Sequence, residues 1–430
     1  MHYIWQVKKV LIITYYWPPA GGPGVQRWLK MVKYLPEAGV EPVVLTVEES
    51  YAAYPVMDPS FLAEVAGSIK VVRTKSFEPL RIYGKIFGQK KVPYSGFSNV
   101  DTETVGSKLS RWVRGNLFIP DARKGWNRFA LPEARKILKR EEINAVVTTG
   151  PPHSTHLIGL ALKSEFPALT WIADFRDPWT DIYYYDALLH TPKSRERDAS
   201  LELQVLESAD QVLAVCPSNV DLLAAKLPPE RREKIKLVTN GYDEEDFQGI
   251  ERATRKGKLE IGYTGTLAPM YDVYPILQIL ATLDIPWQLT IAGSITPEIN
   301  KMAEELKIDK HISFLGHVSH RESLELLRRS NVLLHIMPNT PKSMMGTTGK
   351  LYEYIGSGTP IINFGPVEGD SAMFIESANA GSTFNRNEGV KAGSFLSDIY
   401  SGYKNSRMVD VSRFDRRVIA GQFAEGLKKM

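Results

Sequence analysis

The 430-residue sequence contains one cysteine, Cys216, so no disulfide can form within the chain and a reducing compartment is the expected setting. No apolar run reaches the ~20 residues that a spanning helix needs. The run after Lys8-Lys9 has about 8 residues before Pro18-Pro19, which suits a buried strand better than a signal peptide. No Asp-x-Asp occurs, and no His, Cys, Asp or Glu cluster has metal-ligand spacing, so no divalent metal is expected. Helix-turn-helix, zinc-finger and RNP patterns are missing as well, so nucleic acid is not an expected partner. Acid is scarce at the start. Residues 1–140 hold 22 Lys and Arg against 11 Asp and Glu, and the remainder holds 31 against 38. A basic first third suits either an anionic partner, such as a membrane surface or a lipid pyrophosphate, or a plain solvated surface.

What is present is a long alternation of short apolar runs with helix-like segments. Strands are expected near 9–15, 43–47, 69–73, 144–149, 169–174, 211–215 and 235–239. A second series is expected near 259–264, 288–292, 311–315, 332–336, 360–363 and 381–384. Several are continuously apolar, as in strands covered on both faces, and the alternation implies parallel sheets. The polar, glycine-dotted stretch 240–258 is the expected hinge. The fold class is therefore α/β, with two doubly wound Rossmann-like domains facing each other across a cleft. Their expected bounds are 1–245 and 246–411, with a final helix over 412–430.

Ligands in such sheets bind beyond the carboxyl ends of the strands. "YYWPPAGGPGVQRW" (15–28) leaves the first strand there, and Gly21, Gly22 and Gly24 would let a ligand approach the backbone at a helix N-terminus. Positions 22, 24 and 27 read Gly, Gly, Arg, so the dinucleotide fingerprint is incomplete. "MMGTTGKLYEYIGSGTPIINF" (344–364) offers a second loop. Lys350 and Glu353 lie three apart at a helix start, a lysine for a diphosphate and a carboxylate for a vicinal diol such as ribose. The bland alternative is a dipole-favoured glutamate beside a solvated lysine. "TTGPPHSTHL" (148–157) and "IADFRDPW" (172–179) should emerge at one sheet edge. Asp174, Arg176, Asp177 and His153 are the catalytic candidates, the alternative being an internal Asp–Arg pair that holds the loop. Tyr16, Trp17, Arg27 and His156 are the candidate acceptor contacts. The aromatic and basic stretch 77–129, including Phe77, Arg81, Tyr83, Phe87, Lys90, Lys91, Trp112, Phe118 and Trp126, suits a membrane interface or ordinary core packing.

The order and spacing of "WPPAGGPGVQRW", "YTGTL", "LTIAGS", "ISFLGHV", "VLLHIMP" and "GKLYEYIGSGTPII" make the chain resemble retaining GT-B glycosyltransferases of the family 4 type over nearly its whole length. The resemblance implies transfer of a sugar from a UDP or GDP donor to a glycan or lipid-linked acceptor. It implies a cytoplasmic enzyme, with a peripheral station at the inner face of the cell membrane left open. It places the donor-ribose glutamate on Glu353, the donor phosphates or the acceptor near Gly21 and Gly22, the phosphates near Ser294, the base near the backbone of His317 and Val318, and further donor contacts at Gly265, Thr266, Gly349, Lys350 and Leu351. It also sends the last helix back onto the first domain. The sequence departs from the family at Met345, where a second glutamate is usual. It departs again at Thr266 and about Tyr271, where an arginine and a lysine are usual. A nucleotide-sugar epimerase or hydrolase, and a non-catalytic nucleotide-sugar-binding protein, are the alternatives.

Overall fold

The computed structural model describes residues 8–65, 67–78, 105–182, 184–252, 257–340, 343–402 and 411–430. The chain divides into two compact units, one of residues 1–239 with 419–430 and the other of residues 240–418. The sequence-based boundaries at 245/246 and 411/412 thus compare with observed ones at 239/240 and 418/419.

In the first unit, elements follow as β1 (Lys8–Ile13), α1 (Pro23–Tyr34), β2 (Val40–Val47), β3 (Lys70–Thr74), α2 (Val105–Leu117), α3 (Asn127–Glu141) and β4 (Ala145–Gly150). They continue as α4 (His156–Glu165), β5 (Thr170–Phe175), α5 (Pro192–Ser208), β6 (Gln211–Ala214), α6 (Pro217–Ala225) and β7 (Ile235–Leu237). The seven strands are all parallel, in the order β3-β2-β1-β4-β5-β6-β7. Val10 to Ile13 show why β1 is central. Leu11 and Ile13 enter the core on one face, Val10 and Ile12 the core on the other, and no face is left for solvent. Pro23 starts α1 where its missing N–H costs nothing, and Val25, Trp28, Leu29 and Val32 bury its inner face. Ile419, Ala420, Phe423, Ala424 and Leu427 of the last helix join that same core, with the Phe423 ring edge-on to Trp28 at 5.8 Å.

The second unit runs β8 (Leu259–Thr264), α7 (Tyr274–Ala281), β9 (Trp287–Ala292), α8 (Pro297–Glu305), β10 (Ile312–Gly316), α9 (His320–Arg329) and β11 (Val332–Ile336). It then continues with α10 (Gly349–Ser357), β12 (Ile361–Phe364), α11 (Asp370–Ser377), β13 (Gly381–Phe384) and α12 (Gly389–Ser401), and α13 (Arg416–Lys429) closes the chain. Its sheet is also parallel, in the order β10-β9-β8-β11-β12-β13. Gly358 ends α10 in the left-handed region at φ 70°, and Pro360 then prevents helix and leads into β12. All thirteen expected strands are present, and both sheets are doubly wound. In each, strand order reverses next to the first strand, between β1 and β4 and between β8 and β11. Those are the switch points where crevices form.

Candidate functional site

The switch point of the second unit gathers the motif that begins at Thr348. Lys350 lies in the first turn of α10, and its Nζ donates to the Tyr263 hydroxyl at 2.8 Å while sitting 4.2 Å from the centre of that ring. Tyr263 belongs to β8, so the contact ties the helix that follows β11 to the other strand of the switch. Gly265, at φ 110°, leaves room for the ammonium: a Cβ there would lie 2.8 Å from Nζ. Burial brings the Lys350 amine down to about 7, opposed by the nearby Glu353 carboxylate. Glu353, half-buried one turn on, has Oε1 at 3.0 Å from His320 Nε2 of α9.

The backbone ahead of α10 is held from beneath. His335 is fully buried in β11, with Nδ1 at 2.8 Å from Asn363 Oδ1 and Nε2 at 2.7 Å from Thr348 Oγ1. Asn363 Nδ2 donates to Thr383 Oγ1, so its Oδ1 accepts from His335 Nδ1–H, and Nε2 in turn accepts the Thr348 hydroxyl proton. Burial lowers His335 to about 4, which keeps it neutral in this role. Thr348 is the N-cap residue, yet its hydroxyl makes no cap bond. The first-turn amides of α10 and the positive end of its dipole therefore lie beside the lysine without a side-chain cap. Gly346 N–H donates to Asp370 Oδ2 at 2.6 Å, and Arg386 Nη2 donates to the carbonyls of Tyr271 (3.0 Å) and Met337 (2.6 Å). Arg386 so ties the loop after β8 to the loop after β11.

The remaining donor candidates are spread along the same sheet edge. Thr266, Ser294 and His317 are exposed on the loops after β8, β9 and β10, Val318 is half-buried, and Gly349 is exposed at the mouth of α10. Leu351 is a correction: its side chain is fully buried in the unit's interior, as expected one position past the exposed turn of an amphipathic helix, so only its backbone can face a ligand. Gly293 is required by close approach, since at φ 145° a Cβ would lie 2.0 Å from the Gly265 carbonyl oxygen. Gly293→Ala is expected to cost about 1–3 kcal/mol through that clash and the disfavoured φ, checked by urea unfolding of the full chain.

At the switch point of the first unit the structure corrects several expectations. Asp174 is fully buried. Its Oδ1 accepts from Arg27 Nε (3.1 Å) and Nη2 (2.8 Å), and its Oδ2 from Trp28 Nε1 (2.7 Å) and Thr149 Oγ1 (2.8 Å). With every lone pair engaged, this carboxylate holds α1 to β4 and β5 and is not presented to a reactant. Arg27, itself buried, also donates to the carbonyls of Val238 (2.9 Å) and Thr239 (2.8 Å), so it is a strut rather than an acceptor contact. Arg176 reaches three carbonyls, those of Gly24, Gly150 and Pro151, and binds the glycine loop to the loop after β4. Asp177 beside it is half-buried and is pushed up by burial, with Arg176 opposing.

The opening loop owes its glycines to the protein's own packing. Gly21 lies against Val56 and Asp58, where a Cβ would come within 2.9 Å of Asp58 Cβ, and Gly24 lies against the Arg176 guanidinium. Gly22 caps α1 at φ 90°. Trp17 is fully buried in the core and so cannot serve as an acceptor platform, whereas Tyr16 is half-buried. His156 is a second correction. It is fully buried, stacked 4.6 Å from Phe175 with Nδ1 at 2.9 Å from Thr148 Oγ1, and burial followed by Arg176 lowers it to about 3. His153 stacks 4.9 Å over Trp179 at the same edge and is held neutral first by burial and then by His156. Of the aromatic-basic stretch, Trp126 is buried, Trp112 is exposed, and Arg81, Tyr83, Phe87, Lys90 and Lys91 lie outside the described residues.

With this geometry in view, residues 243–380 match the family model described as glycosyl transferases group 1, so the second unit carries a group 1 glycosyl transferase domain. No curated protein sequence matches the chain significantly. Similar solved structures include HepE (Alr3699) of Anabaena in complex with UDP, at 14% identity and TM-score 0.59, covering 98% of this chain and 100% of that one. Sucrose-phosphate synthase of Thermosynechococcus elongatus follows at 14% identity and TM-score 0.62, covering 98% of both chains. The lipopolysaccharide outer core galactosyltransferase WaaB, in its apo form, has 14% identity and TM-score 0.57, covering 97% of this chain and 99% of that one. At these identities the likeness establishes the fold, which is that of the two-domain GT-B glycosyltransferases.

Proposed function

We propose that the protein transfers a sugar from a nucleotide-sugar donor to a hydroxyl of a glycan or lipid-linked acceptor, with retention and without a metal ion. One observation carries this reading: a desolvated lysine and an uncapped helix N-terminus converge over a switch point, with Glu353 one turn away. The diphosphate sits at Lys350 and the first amides of α10, and Glu353 binds the ribose hydroxyls. The UDP and UDP-glucose complexes of HepE support a uridine donor. As the bond from the anomeric carbon to the β-phosphate oxygen breaks, negative charge builds on the diphosphate. Lys350 and fixed backbone dipoles stabilise it there without reorganising. The acceptor oxygen forms the new bond to the anomeric carbon, and its proton passes to the departing phosphate oxygen on the same face. No carboxylate is needed for that step, which agrees with Asp174 being fully engaged elsewhere.

The test is a thermal-shift panel of UDP-, GDP- and dTDP-sugars on wild type and Glu353→Ala. One nucleotide class is expected to raise the wild-type midpoint by several degrees, and the variant to lose most of that shift. Equal shifts in both proteins would remove Glu353 from the ribose site. Donor consumption without any acceptor would favour the epimerase or hydrolase alternative instead.

A further inference from the structure

Tyr263 carries a hydroxyl that the core around it does not require. It is the penultimate residue of β8, its side chain is fully buried, and its ring packs among the apolar residues of the second unit's core. A phenylalanine would fill that place as well. The hydroxyl instead reaches the loop at the carboxyl end of the strand. It donates its one proton to the Thr266 carbonyl at 3.1 Å, which leaves the lone pairs of the oxygen to accept from Lys350 Nζ at 2.8 Å. The ammonium also lies 4.2 Å from the ring centre, a favourable place for a cation. Gly265 keeps the space beside it open, since a Cβ there would come within 2.8 Å of Nζ.

The phenol stays a neutral acceptor. Burial, followed by the Tyr354 and Tyr271 hydroxyls, pushes Tyr263 well above its ordinary value, so it carries no negative charge to share with the lysine. The titratable groups on the other elements around Lys350 do not replace it. Glu353, on the same helix, opposes the loss of charge, but its Oε1 is engaged by His320 Nε2 of α9. His335 of β11 is neutral, and the Tyr354 hydroxyl is taken up by the Thr264 N–H at 2.8 Å. Lys350 forms no ion pair among the described residues, so on the side of β8 the Tyr263 oxygen is what favours the charged amine. A hydrogen bond from a charged donor is worth more than one between neutral groups, and more again where water is excluded.

We infer that Tyr263 is the positioning residue for the Lys350 ammonium: its hydroxyl, pinned by the Thr266 carbonyl, holds Nζ beside Gly265 and keeps it charged in a dry setting. The same tie joins the lysine to the turn after β8, so the cation and the Gly265–Thr266 backbone are presented to a donor together. That consequence rests on the reading that the donor diphosphate meets Lys350, whereas the hold on the lysine itself does not.

The experiment is competitive labelling of the full chain with trace acetic anhydride across a pH series. The extent at Lys350 is read by peptide mass spectrometry against the exposed Lys310 as internal standard. Only the neutral amine reacts, so the pH of half-maximal labelling reports the proton. In wild type that midpoint is expected at about 7. Tyr263→Phe keeps the ring and loses the acceptor, and its midpoint is expected to lie about half to one pH unit lower, a three- to tenfold loss of proton affinity. Tyr263→Met, which loses the ring as well, is expected lower still. Unfolding acts in the opposite sense, towards the ordinary lysine value of about 10.4, so a poorly folded variant cannot imitate the result. A merely structural tyrosine would lower the thermal midpoint and leave the labelling midpoint where it was. Variants that titrate with wild type, or a wild-type Lys350 that labels like Lys310, would overturn the inference. Repeating the labelling with saturating UDP-, GDP- or dTDP-glucose separates it from the diphosphate reading. Protection of Lys350 with unshifted midpoints keeps that reading and removes Tyr263, whereas shifted midpoints without protection by any of the three do the reverse.

Discussion

A UDP-sugar is expected to bind about tenfold more weakly at pH 8 than at pH 6, and to take up close to one proton per molecule bound at pH 8. The reason lies in Lys350. In the unliganded protein its amine is lowered to about 7, first by burial, with Glu353 opposing. A bound diphosphate restores the missing counter-charge and raises that value again. Between the two values the free protein is largely neutral at Lys350 and the complex is charged. Binding must then recruit a proton, and affinity falls by up to a factor of ten per pH unit. Below the lower value both states are protonated and the dependence vanishes. A diphosphate diester does not itself titrate in this window, and His335, lowered to about 4, is neutral throughout it. Titration calorimetry in buffers of different ionisation heat reads the proton directly. Lys350→Arg should bind with a flat profile, because a guanidinium stays charged, and Lys350→Met should bind weakly at every pH. A flat wild-type profile would show that Lys350 does not meet the diphosphate. His320→Gln serves as the control for the imidazole beside Glu353.

The strands were readable because parallel sheets covered on both faces leave continuous apolar runs, and Val10–Ile13 and Val332–Ile336 are of that kind. Lys350 and Glu353 were readable for a different reason. Glycines, a helix start and a three-residue spacing fix which side of the first turn they occupy. Partners distant in sequence were not readable. Nothing near Glu353 announces His320, which arrives from α9, and nothing near Lys350 announces Tyr263 from β8. His335 did leave a signal, a lone polar residue inside an apolar strand, which implies a buried bond to something. The first unit misled in an instructive way. "DFRDPW" has the residue types of a catalytic loop, but charge density does not reveal exposure. Arg27, at a separation of 147 residues, consumes the carboxylate of Asp174. The glycines of 21–24 were likewise read as space for a ligand, whereas Val56, Asp58 and Arg176 fill that space from within.

Arg27→Met is expected to destabilise the first unit by about 3–5 kcal/mol, the cost of leaving a fully buried carboxylate without its cation. Trp28 and Thr149 would still donate to Asp174, but both are neutral, and two hydrogen bonds do not replace a bidentate guanidinium in a dry interior. The carbonyls of Val238 and Thr239 would lose their donors in the same step. Removing both charges should hurt less than removing one. Arg27→Met with Asp174→Leu is expected to regain roughly half of the loss, since no buried charge then remains unpaired, while the freed Trp28 and Thr149 donors keep the rest. Urea unfolding of the four proteins of this cycle, followed by tryptophan fluorescence, measures the coupling. A fifth protein, Asp174→Asn, decides what Asp174 is for. An acid or base at work on the substrate would lose transfer rate in Asp174→Asn with the unfolding curve unmoved. A strut loses stability first, and any fall in rate follows the fraction unfolded. The second outcome is expected, because no face of that carboxylate is open to a reactant.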